Sequence, residues 1–168
     1  MEFTESGLSF HFEDDRCYRI ENAQGAIGVG EGIKKAEFLY IDAGNNLWVL
    51  EAKTTIANER KSKEEFDAQL QAIYEKLYNS LQLAVLGLAG RYQAVNEELP
   101  VEFKTADWSG LTIQLVLVIP EIPTLQLPVF SDKLRKKFSP WFLKVWNIKE
   151  ANIQVLNRDI AQRKALCQ

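Results

Sequence analysis

Ala36-Glu37-Phe38-Leu39-Tyr40-Ile41-Asp42, then Ala43-Gly44-Asn45-Asn46, then Leu47-Trp48-Val49-Leu50-Glu51-Ala52-Lys53-Thr54-Thr55 is the stretch that decides the fold. Two runs rich in aromatic and branched side chains flank a cluster of turn residues, which predicts a β-hairpin. With the turn centred on Gly44, Ile41 opposes Leu47, Leu39 opposes Val49 and Glu37 opposes Glu51. One face then carries Leu39, Ile41, Leu47 and Val49, with Glu37, Glu51 and Lys53 at its end. The other carries Phe38, Tyr40, Trp48, Leu50 and Ala52. Both faces are apolar, so the sheet is expected to be covered on both sides. The register that sets Asp42 opposite Glu51 would place Leu47 in the turn, where a leucine is a poor choice.

Charges inside so apolar a strand need partners or solvent. Glu51 and Lys53 are two residues apart, so they share a face. Opposed Cβ atoms lie roughly 4.5–5.5 Å apart. Two carboxylates that close repel unless a proton or a cation separates them. A hard divalent cation, Mg²⁺ or Mn²⁺, suits such a pair, because it takes one or two carboxylates plus waters. Lys53 beside it is placed to hold a metal-bound water. The alternative is an inert ion-pair cluster at a sheet end.

Outward from the hairpin, Ser62 and Glu65 have capping-box spacing. Phe66, Leu70, Ile73, Leu77, Leu81, Ala84 (or Val85) and Leu88 recur every three or four residues, which predicts one long helix closed by Gly90. Thr112–Ile119 reads as a buried strand stopped by Pro120. Pro120, Pro123 and Pro128 predict a rigid extended crossing over 120–128. Residues 131–146 read as helical with a break at Pro140, Ile153–Leu156 as a short strand and Arg158–Leu166 as a short helix. Residues 8–21 read as one or two short strands about Asp14-Asp15. Residues 22–32, with Gly25, Gly28, Gly30 and Gly32, read as a mobile loop. Their spacing fits neither a Walker A loop nor a dinucleotide fingerprint. The predicted class is α/β, a mixed central sheet flanked by helices.

An acid on one hairpin strand, Glu-x-Lys on the next and a long helix after it resembles the PD-(D/E)XK nuclease superfamily. The resemblance runs over about residues 31–119 of a single domain spanning 1–168. It implies a restriction-endonuclease-like core and Mg²⁺- or Mn²⁺-dependent hydrolysis of DNA phosphodiesters. Glu37 and Glu51 would be metal ligands, the Ala52 carbonyl a third, and Lys53 the residue that activates water. Glu21, or alternatively Glu31, would stand in for the acid that such proteins carry on their first helix. Gln69 borders the sheet and is a possible site or substrate contact. The first acid is Glu37 where the family usually has Asp, and no Gln-x-x-x-Tyr register is present. A homodimer is a further possibility, since many such enzymes cut two strands as dimers. The rival reading is a catalytically inactive nuclease-fold module that binds nucleic acid or protein.

Composition narrows the function classes. The chain has 168 residues, 46% hydrophobic and 26% charged, which fits a globular domain and argues against disorder. Residues 1–129 hold 11 Lys/Arg against 20 Asp/Glu, whereas residues 130–168 hold 9 against 3. An acidic body with a basic segment is compatible with a polyanion contacted by one region. Lys133, Arg135, Lys136 and Lys137 are the candidate phosphate contacts, and Trp141 and Trp146 are possible stacking residues. Cys17 and Cys167 make no disulfide framework or zinc spacing, so a cytoplasmic setting is expected. No signal-peptide pattern opens the chain, and no apolar run reaches the ~20 residues of a membrane span. His11 has no Ser or Asp set around it.

Overall fold

The computed structural model describes residues 1–168. In chain order the strands are β1 (Glu2–Glu5), β2 (Leu8–His11), β3 (Cys17–Tyr18), β4 (Phe38–Ile41), β5 (Asn46–Ala52), β6 (Thr112–Val118) and β7 (Ile153–Leu156). The helices are α1 (Gln24–Ile27), α2 (Lys63–Leu88), α3 (Gln93–Glu98), α4 (Val101–Thr105), α5 (Leu127–Arg135), α6 (Pro140–Val145) and α7 (Arg158–Arg163). The chain is an α/β protein with a five-stranded mixed sheet of order β3-β4-β5-β6-β7. β3, β4 and β5 run antiparallel, and β5, β6 and β7 run parallel.

The hairpin register is the predicted one: Leu39 pairs with Val49 and Ile41 with Leu47. The alternation then divides the core. Leu39, Ile41, Leu47 and Val49 join a cluster of 30 buried residues beneath α2, α5 and α6. Phe38, Trp48, Leu50 and Ala52 join a second cluster of 15, which β1, β2 and α7 cover. Helix α2 buries Phe66, Leu70, Ile73, Leu77, Leu81 and Ala84 along one stripe. Each of the large side chains among them contributes roughly 1.5–3 kcal/mol. The helix ends where Gly90 takes φ +68°, a left-handed conformation in which a side chain is strained.

Several expectations need correction. Ser62 precedes α2 but makes no side-chain cap. Residues 120–128 are not an extended crossing: Thr124–Gln126 form a 3₁₀ turn, and Pro128 sits in the first turn of α5, where its missing N–H costs nothing. Residues 24–27 form α1 rather than loop. A side chain at Gly25 would meet the Ala94 carbonyl at 2.5 Å, so glycine there lets α1 pack against α3. The β1–β2 hairpin escaped the sequence reading, although Ser6-Gly7, both at positive φ, form the kind of two-residue turn that joins such strands. Cys17 and Cys167 are free and buried. No helix is long and apolar enough to cross a membrane.

Candidate active site

Strand β5 crosses by way of α2 to its parallel neighbour β6, so the carboxyl ends of both strands lie at one edge of the sheet. Ligand sites of open α/β sheets favour that edge. Because β4 runs antiparallel to β5, its start reaches the same edge. The regular pairing ends at Phe38–Leu50, the Glu37 N–H donates to the Leu50 carbonyl at 3.1 Å, and the Glu37 and Glu51 side chains line one cleft. Helix α2 clamps that strand start. Ser80 Oγ accepts from the Ala36 N–H at 2.8 Å, Asn79 Nδ2 donates to the Lys34 carbonyl at 3.0 Å, and Lys34 Nζ pairs with Glu75 at 2.7 Å.

Glu37 and Glu51 line a cleft of about 320 Å³ together with Ser6, Ala52, Lys53, Thr54, Thr55 and Lys76. Both acids are nearly inaccessible, at 5% and 4% exposure. The other buried polar residues, Ser80, Ser131 and Asn157, each make hydrogen bonds. By contrast Glu37 Oε2 and Glu51 Oε2 have no hydrogen-bond partner. Leaving a buried polar atom unpaired costs about 1–3 kcal/mol, and more for a charge.

Burial pushes the Glu37 carboxyl up to about 9, helped by the neighbouring carboxylates of Glu21 and Glu51. Burial also raises Glu51, to about 7, against the opposing pull of the Lys76 ammonium. Lys76 Nζ lies 2.8 Å from Glu51 Oε1 and 3.6 Å from Glu21 Oε1. Burial alone would lower Lys76, but Glu51, Glu21 and Glu37 outweigh it and raise it.

The remaining candidates fall in distinct places. Lys53 borders the cleft, and its N–H donates to the Val118 carbonyl at 2.9 Å while its ammonium enters no salt bridge. Glu21 stands at the acid pocket through its contacts with Lys76 and Glu37. Gln69 does not reach the acids. Its Oε1 accepts from the Ala57 N–H at 2.9 Å and its Nε2 donates to Glu65 at 3.2 Å, so it braces the loop after β5. In the basic segment Lys133 pairs with Glu59, Arg135 Nε donates to the Ile153 carbonyl at 2.9 Å, and Lys136 pairs with Asp132 at 2.8 Å. Lys137 enters no salt bridge. Trp141 is exposed, whereas Trp146 packs on Phe142. His11 pairs with Glu2 at the surface.

Sequence reading missed Lys76. It is one of many charges on a long helix, and only the rotation of α2 against the sheet sends it to Glu51. It also missed Ser6, which the β1–β2 turn brings to the cleft. A larger cleft of about 590 Å³ shares Thr54 and Thr55 with the acid pocket and runs to Phe130. It contains no buried acid.

No group of three or more His, Cys, Asp or Glu side chains is arranged to hold a metal ion. Glu37 Oε2 and Glu51 Oε2 are the two acid oxygens left without a partner, and they are the atoms that would hold a hard ion such as Mg²⁺, which takes one or two carboxylates with waters. No family model matches the chain, and no curated protein or solved structure matches it either.

Proposed function

We propose that the protein is a metal-dependent nuclease of the PD-(D/E)XK type that hydrolyses DNA phosphodiester bonds at the Glu37–Glu51–Lys53 cleft. The observation that carries this reading is the pair of buried, unpaired carboxylate oxygens beside a lysine with no ion-pair partner. An arrangement that costs stability and serves no packing need points to chemistry. Glu37, Glu51 and the Ala52 carbonyl would hold Mg²⁺ or Mn²⁺. Bound there, the ion supplies charge stabilisation at a phosphoryl oxygen and acidifies water. Burial favours the neutral form of Glu37 and a carboxyl ligand must be deprotonated, so metal affinity would rise with pH. Lys53 Nζ, free of carboxylates, donates to the attacking water and orients it. Phosphate contact falls to Lys137 and the exposed side of Lys136, while Lys133 and Arg135 chiefly hold the fold.

The test is plasmid nicking in Mn²⁺. Lys53→Ala is expected to lose at least ~100-fold in rate, the scale on which a single transition-state donor acts, with an unchanged melting curve. A variant that cuts as well as its parent removes Lys53 from the mechanism. A second reading, a nuclease-fold module without catalysis, draws support from one observation: Lys76 already neutralises Glu51.

A further inference from the structure

The Lys76 ammonium has a place in the acid pocket that packing does not require. Helix α2 is locked to the start of β4 by Ser80, Asn79 and Glu75, so the Lys76 backbone is held firmly. Its side chain is free in a different sense: it is 24% exposed, with a route to solvent along the cleft it lines. From that anchor Nζ reaches Glu51 Oε1 at 2.8 Å and Glu21 Oε1 at 3.6 Å. The second oxygen of Glu51, and one of Glu37, stay buried without a partner. One ammonium thus answers part of an acid cluster that has acceptor oxygens for more than one cation contact.

We propose that Lys76 is a tethered counter-cation of this pocket, and that a divalent ion engages Glu51 fully only by displacing the Lys76 ammonium. The proposal rests on the metal-site reading above and adds the control of that site. Displacement requires breaking the 2.8 Å ion pair with Glu51 and rotating a four-carbon stem that is already 24% exposed. An internal competitor lowers apparent affinity by the fraction of time that it leaves the site open. The geometry therefore describes a site of deliberately modest metal affinity, set by a residue that is itself no ligand. Lys53 is the natural control. It carries the same charge at the rim of the same cleft but pairs with neither acid.

The experiment is calorimetric titration of Mn²⁺ into the full chain at fixed pH and ionic strength, with Lys76→Met and Lys53→Met beside the parent. Lys76→Met is expected to tighten Mn²⁺ binding about tenfold or more, and Lys53→Met by less than about threefold, the scale of screened charge at a rim. Equal tightening in both variants shows a general field effect and overturns the tethered-cation assignment. A parent that binds, with Lys76→Met no tighter, overturns this proposal and leaves the metal-site reading standing. Binding by Lys76→Met alone supports the proposal and favours the non-catalytic reading. Binding by neither overturns both. Because Lys76→Met exposes Glu51 to an unpaired burial, a second measurement uses the parent alone. In ¹⁵N-lysine spectra the ion-paired Lys76 Nζ signal is expected to shift or vanish as Mg²⁺ is added. A signal unmoved at metal saturation overturns the proposal whatever the variant does.

Discussion

The two ends of one hairpin treat their carboxylates in opposite ways. At the turn, Asp42 accepts from the Gly44 and Asn46 N–H groups at 2.8 and 2.9 Å, from Asn46 Nδ2 and from Trp48 Nε1 at 2.8 Å. Those donors hold its carboxyl below the ordinary carboxylate value in spite of partial burial. At the other end, Glu37 and Glu51 are buried, incompletely bonded and pushed upward. Asp42 is an acid built into the structure: every feature of it serves the turn. The Glu37–Glu51 end is tolerated by the fold rather than used by it. The difference lies in whether the oxygens are satisfied, more than in burial or shift alone, and a buried acid left unsatisfied is the one that calls for an explanation beyond the fold.

The sharpest break of that comparison is in activity. Glu51→Gln is expected to abolish Mn²⁺ binding and to lower nicking by at least ~100-fold, while Asp42→Asn stays within a few fold of the parent. Comparable losses in both variants would erase the distinction. In stability the order reverses. Asp42→Ala strands the turn N–H groups and Trp48 Nε1, and should cost roughly 2–4 kcal/mol in denaturant unfolding, from several lost hydrogen bonds. A cost near zero would show that solvent replaces those donors.

The pH dependence has opposite signs at the two ends. Glu37 is raised from 4.5 to about 9 in the fold. Its contribution is therefore fully present below pH 4.5 and is lost as pH climbs through 9. Glu37→Gln should match the parent at pH 4 and melt several degrees higher at pH 9 in chelator. Asp42 is lowered from 3.8, so its contribution is present above that value and is lost as acid protonates the folded carboxylate. Parallel pH–melting curves for parent and Glu37→Gln would mean that Glu37 is not held protonated. The smallest effect concerns the basic segment. Lys137→Ala should weaken DNA binding modestly and reduce the salt slope by about 1, and binding indifferent to salt would count against phosphate contact.

Much of this hairpin was legible in the sequence. Turn chemistry at Ala43–Asn46 and strict alternation fixed the register from Phe38–Leu50 to Ile41–Leu47, because a one-residue slip would have turned two apolar faces inside out, and Glu37, just beyond the last pair, lines the same cleft as Glu51. The period of α2 was equally plain, although it left Ala84 or Val85 open, and the structure buries Ala84 while Val85 stays half-exposed. Less legible were the short helices α1, α3 and α4, whose few residues carry too little periodicity to declare themselves. Proline spacing misled over 120–128, since proline opens a helix as readily as it extends a strand.

Local rules therefore determined which residues share a strand face and which share a helix stripe, for both follow from backbone geometry repeated over a few residues. Tertiary structure alone decided that Lys76 meets Glu51 across 25 positions of sequence. It also decided that Glu21 joins them and that Ser6 borders the cleft. Those meetings depend on how a helix is rotated and where a hairpin is laid over a sheet. Packing of the whole core sets both, and no local pattern encodes them.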